Sequence, residues 1–134
     1  MQTRTLQIYA PPLLLMAVIF ILSSIPGKLD DDHALRFLTE FNPQLQNLLH
    51  IPMFGLLQWL WLRAFAQVGK SGGGRVLACI GITTAYGLFD EFHQLFVPGR
   101  YASLTDILLN LVGVAMGTLA FRWLSPPRQA PVTS

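Results

Sequence analysis

The chain has 134 residues and a formal net charge of +2; hydrophobic residues make up 52% and charged residues 12%. A soluble domain of ordinary composition carries about 25% charged residues and needs them to keep a large surface in water, so a freely soluble globule is excluded and lipid is the implied solvent. The Lys and Arg residues are scattered with no aromatic-interleaved basic patch, which excludes a nucleic-acid partner, and the only cysteine, Cys79, falls in an apolar run and reads as a buried, inert thiol.

Four apolar stretches run from about Tyr9 to Ile25, Leu48 to Ala66, Val76 to Phe96 and Leu104 to Trp123. Each approaches the ~20 residues that a helix needs to cross a hydrocarbon core of ~30 Å. The expected fold is an all-α polytopic membrane protein with four transmembrane helices over residues 1–124, followed by a disordered cytoplasmic tail over 125–134 rich in proline. The first stretch has a basic start at Arg4, but Ser23-Ser24-Ile25-Pro26 is not a small-x-small cleavage site, so the segment is kept as a helix. Pro11 and Pro12 fit its first turn, where a missing N–H costs little. If the helices alternate, Arg4, Arg63, Lys70, Arg75, Arg122 and Arg128 flank one side, and no acid accompanies them. The positive-inside rule then places both termini and the Gln67–Arg75 loop in the cytoplasm. Gly72-Gly73-Gly74 should make that loop flexible; it lacks the spacing of a phosphate loop. The Pro26–Asn47 and Val97–Ser103 loops face the outside. Asn47 is a candidate cap for the second helix, with Pro52 in its first turn.

The third stretch carries the chemistry: Asp90, Glu91 and His93 lie inside an apolar helix. An ionised side chain at the bilayer centre costs at least ~2.5–3.5 kcal/mol, so such groups persist with partners, a wet cavity or a function. Thr83, Tyr86, Gly87, Asp90, His93 and Gln94 are linked by steps of three and four and form one polar stripe, with Glu91 on its flank. Asp90 lies about 10 Å below the outer end of the helix, in the outer leaflet. Val97-Pro98-Gly99-Arg100 is a tight turn, and Ser103 to Asp106 has capping-box spacing. Asn110, Gly113 and Gly117 continue the Asp106 face; small residues so spaced let another helix approach closely, and Asp90 and His93 are expected as neighbours of that face. Arg100 could pair with Asp106, Glu91 or Asp90, or snorkel at the interface. His50 opens the second helix at the same depth.

These residues together resemble the VanZ-like family of bacterial membrane proteins. The most specific part is Asp90-Glu91-Phe92-His93-Gln94-Leu95-Phe96-Val97-Pro98-Gly99-Arg100, followed by Ser103, Asp106, Asn110 and Gly113. Ser23-Ser24-Ile25-Pro26-Gly27, and His50 with Phe54 and Gly55, also look like the family. The chain departs from it in having no Lys in Asn47-Leu48-Leu49 ahead of His50, and in Pro52. The resemblance implies a small integral protein of the bacterial envelope, with a link to teicoplanin-type glycopeptide resistance or cell-envelope modification. Together with the charge bias, the expectation is a multi-pass protein of the bacterial cytoplasmic membrane with its site facing the extracytoplasmic side.

Three readings of the cluster stay open. It could be a packing device that locks the third and fourth helices in a non-catalytic envelope protein. It could belong to a membrane-embedded enzyme acting on a lipid-linked or cell-wall substrate, with Asp90, Glu91, His93 and His50 as catalytic candidates and Gln94, Arg100, Ser103, Asp106 and Asn110 as binding residues. Adjacent like charges in low dielectric resist double ionisation, which suits acid–base work. It could be part of a proton or ion pathway, although the inner halves of the other helices offer few polar groups. A metal reading would draw on His50, His93 and one or more acids; two histidines on separate helices match no stringent ligand spacing, so no metal and no cofactor is expected. Membrane lipid is the expected partner, and nothing in the sequence specifies an oligomeric state.

Overall fold

A backbone in lipid must satisfy its own hydrogen bonds, and helices do so within one segment. The computed structural model describes residues 2–27, 47–70 and 72–124. Among these, regular structure is helical throughout: α1 (Gln2–Ser23), α2 (His50–Gln67), α3 (Gly72–Gln94) and α4 (Leu104–Leu124). Two of them are long and apolar enough to cross a membrane, Arg4–Ser23 with mean hydropathy 2.0 and Leu104–Leu124 with 1.7. α2 and α3 carry Gln58, Thr83, Asp90, Glu91 and Gln94, which lower their apolarity, yet all five are buried. Large apolar side chains point outward instead, including Leu14, Leu77, Leu104 and Trp123. Polar groups inside and leucines outside invert the soluble pattern, as expected of a bundle embedded in lipid.

Successive helices run antiparallel. Ser23 at the end of α1 meets Asp90 near the end of α3, and His50 at the start of α2 meets Asn110 near the start of α4. At the other end Tyr9 packs on Trp61 and Phe65, with centroids 6.1 and 6.4 Å away, and the Arg75 guanidinium lies 5.2 Å from the Phe121 ring. The core is built around α2: Phe54, Leu57, Leu62 and Cys79 are buried together.

The closest helix pair is α2 with α4. A Cβ on Gly113 would lie 2.5 Å from the Ile51 carbonyl oxygen, and one on Gly117 would collide with the Gly55 carbonyl. The small-residue face of α4 does receive a helix, but that helix is α2 rather than the α3 face carrying Asp90 and His93. A deeper polar chain ties three helices: Thr83 Oγ1 donates to Gln58 Oε1 at 2.8 Å, and Gln58 Nε2 donates to Thr118 Oγ1 at 3.0 Å.

Several boundaries differ from the sequence expectation. α1 begins at Gln2, so Pro11 and Pro12 lie inside it rather than in its first turn. Pro12 is fully buried, and its packing holds a residue that removes one helical hydrogen bond. Gly72, Gly73 and Gly74 form the first turn of α3 instead of a flexible loop, with φ 75° at Gly72. α2 is preceded by Leu49 in helical conformation with no side-chain cap, so Asn47 does not cap it. Most of the expected Pro26–Asn47 loop and the tail 125–134 lie outside the described residues.

Candidate functional site

The ends of α1 and α3 and the starts of α2 and α4 converge, and the 95–103 turn closes this end of the bundle. Pro98 and Gly99 occupy the centre of a β-turn closed by Arg100 N–H to the Val97 carbonyl at 3.1 Å; the φ of 74° at Gly99 is one that glycine adopts without strain. Gly27 N–H donates to the Pro98 carbonyl at 3.0 Å, and a Cβ on Gly27 would collide with the Gly99 carbonyl. This contact anchors the end of α1 to the turn.

The polar stripe of α3 divides into two groups. Asp90 faces α1. Ser23 Oγ–H donates to its Oδ1 at 2.5 Å, and Gln94 Nε2 donates to its Oδ2 at 3.1 Å. Tyr86, one turn deeper, donates to the Met16 carbonyl of α1 at 2.5 Å. His93 also faces α1, with its ring 4.4 Å from that of Phe20 and its Nδ1 buried without a partner.

Glu91 turns the other way, toward α2 and α4. Its Oε2 accepts the Ser103 N–H at 2.9 Å. Capping-box geometry would give that N–H to Asp106, so the partner of Ser103 comes from α3 and Asp106 is released from the expected capping role. Asp106 is 6% exposed and its Oδ1 has no partner; Glu91 is 2% exposed and its Oε1 has none either. His50 Nδ1–H donates to Asn110 Oδ1 at 2.8 Å, and its ring stacks on Phe54. Asn110 Nδ2, pressed toward Gly87, is the third buried atom of the group without a partner. A ring nitrogen of His50 and one carboxylate oxygen each of Glu91 and Asp106 lie within 4.8 Å of one another.

Arg100 touches none of these acids. Its Nε donates to the Ile25 carbonyl at 2.9 Å and its Nη2 to the Leu22 carbonyl at 3.4 Å, where it caps α1. Burial lowers the pKa of its guanidinium from the usual value, and the charges of Asp90, Asp106 and Glu91 oppose that shift. The arginine thus acts on the carboxylates through space, while its donors hold α1 in place.

The structure therefore brings His50, Glu91, Ser103, Asp106 and Asn110 together and sets Asp90, His93 and Gln94 apart, against α1. Sequence reasoning overlooked Gln58 and Thr118. A glutamine in an otherwise apolar second stretch was a usable signal, but its partner is 60 residues away and no local spacing could supply it.

Neither the curated proteins nor the solved structures yielded a match. The profile of the VanZ/LLP1 family matches residues 8–125, which takes in all the site residues named above, and the chain belongs to the VanZ/LLP1 family.

Proposed function

We propose that the chain is a four-span protein of the bacterial cytoplasmic membrane, with both termini inside, that acts on a lipid-linked or cell-wall molecule at the extracytoplasmic face. Its working site is the group His50, Glu91, Asp106 and Asn110, and its cellular consequence is altered susceptibility to teicoplanin-type glycopeptides. The topology is supported by Arg4, Arg63, Lys70, Arg75 and Arg122, which belong to the end of the bundle opposite the site.

The observation that carries the reading is the set of unpartnered buried atoms, Glu91 Oε1, Asp106 Oδ1 and Asn110 Nδ2. Each buried polar atom left unsatisfied costs about 1–3 kcal/mol. A device for locking helices would have both ends of its bonds filled, as Asp90 has with Ser23 and Gln94. An orphan donor beside two orphan carboxylate oxygens is an arrangement that a bound molecule completes. Glu91 and Asp106, with the His50 imidazole, also supply the acid and base that a transfer on an envelope substrate would use.

Expression of the wild-type chain in a susceptible host, beside Glu91→Gln and Asp106→Asn at matched membrane levels, tests this. Wild type shifts teicoplanin susceptibility and the two isosteric variants lose the shift. Variants that keep it remove this group from the function. The proton-pathway reading has one observation in its favour, the Gln58–Thr83–Thr118 chain. That chain is internally bonded, Thr83 to Gln58 and Gln58 to Thr118, and none of its hydrogen bonds reaches the Glu91 group.

A further inference from the structure

We infer that His50, Glu91 and Asp106 form a binding site for one divalent cation of the zinc or manganese class. This inference rests on the reading of the same group as the working site and names what completes it. The three side chains come from α2, α3 and α4, and their ligand atoms lie within 4.8 Å of one another. Bonds of ~2.0–2.2 Å to zinc hold ligand atoms ~3–4 Å apart, so small side-chain rotations close the remaining distance.

Two independent features point to a cation rather than to a bare acidic cluster. Glu91 and Asp106 are 2% and 6% exposed, and each has a carboxylate oxygen with no hydrogen-bond partner. Among the described residues no guanidinium neutralises them by contact, because Arg100 is engaged with the carbonyls of Ile25 and Leu22. The second feature is the imidazole. Its Nδ1–H is held by Asn110 Oδ1 at 2.8 Å, which leaves Nε2 as the nitrogen with a free lone pair. A histidine oriented by a carbonyl oxygen through its other nitrogen is the usual state of a metal ligand. Glu91 is oriented in the same way by the Ser103 N–H. One imidazole and two carboxylates leave coordination positions open, the pattern of a catalytic rather than a structural ion. His93 takes no part, being stacked on Phe20 of α1.

The test uses the full chain, purified in detergent and stripped with a chelator. Zn²⁺, Mn²⁺ and Mg²⁺ are titrated separately, with bound metal measured by elemental analysis and thermal unfolding followed in parallel. The expected result is one equivalent of Zn²⁺ or Mn²⁺ per chain with a raised unfolding temperature, and Mg²⁺ binding far more weakly. His50→Ala, Glu91→Gln and Asp106→Asn each lower the affinity at least about tenfold, as does Asn110→Ala through the imidazole. His93→Gln and Cys79→Ser bind as wild type does. Failure of the folded wild-type protein to take up either metal overturns the inference, as does full uptake by folded Glu91→Gln. The wild-type titration decides the matter even where a variant does not fold. Loss of the glycopeptide phenotype in Glu91→Gln without metal uptake by wild type removes the cation and leaves the functional reading. Metal uptake with an unchanged phenotype does the reverse.

Discussion

Replacing Gly113 by alanine probes the seam that brings His50 to Asn110. The new Cβ would sit 2.5 Å from the Ile51 carbonyl oxygen and 3.0 Å from the Gly55 nitrogen, both backbone atoms of α2. Ordinary contact begins at 3.4 Å, so the helices must part by 3.4 − 2.5 = 0.9 Å. Applied along the His50–Asn110 bond, that shift stretches 2.8 Å to 2.8 + 0.9 = 3.7 Å, and the bond is lost. Overpacking costs about 1–3 kcal/mol and a lost hydrogen bond about 0.5–1.5, so the expected destabilisation is about 1.5–4.5 kcal/mol. The assay is equilibrium unfolding of the purified protein in micelles, with Gly81→Ala as comparison. A Cβ on Gly81 meets nothing within 4 Å, so that variant should be unchanged or up to about 1 kcal/mol more stable through helix propensity. If Gly113→Ala is as stable as Gly81→Ala, α2 and α4 do not touch along this seam.

Gln58→Leu should cost about 1–2 kcal/mol, because interhelical bonds in membrane bundles contribute up to ~1.7 kcal/mol and Thr83 and Thr118 both lose a partner. The same unfolding assay reads it, and the glycopeptide phenotype should persist, since the chain lies apart from the Glu91 group. Membrane-impermeant maleimide on intact cells tests the topology. Tyr101→Cys, at an 83% exposed position, labels from outside, and Lys70→Cys labels only after permeabilisation. Native Cys79, fully buried, stays unlabelled until the protein is unfolded.

The helical fold was legible because lipid imposes a simple rule: apolar runs near 20 residues must be helices. The same pattern could not show that Pro11 and Pro12 lie within a helix, since hydropathy falls before Tyr9 while the backbone continues to Gln2. Nor could it show Gly72–Gly74 as helical, because glycine reads as a breaker wherever tertiary context is unseen. The site was half legible. Helical periodicity put Asp90, His93 and Gln94 on one face and Glu91 on its flank, and that 100° offset divides the group. Which helix each face meets depends on packing: the α4 glycines accept α2, which brings His50 beside Asp106 and Asn110 and leaves Asp90 and His93 to α1. The Ser103–Asp106 spacing suggested a local cap, whereas Glu91, distant along the chain, takes the Ser103 N–H.

Glu91 is proposed as a working group and not an adhesive between helices. The unfolding stability of Glu91→Gln against wild type, both in chelator, separates the two roles. A glutamine keeps an acceptor for the Ser103 N–H and removes a buried acid whose second oxygen has no partner, so the variant should be at least as stable as wild type, as when a strained functional group is replaced. A loss of about 3 kcal/mol or more, the cost of breaking a buried polar pair that holds a fold together, would contradict it.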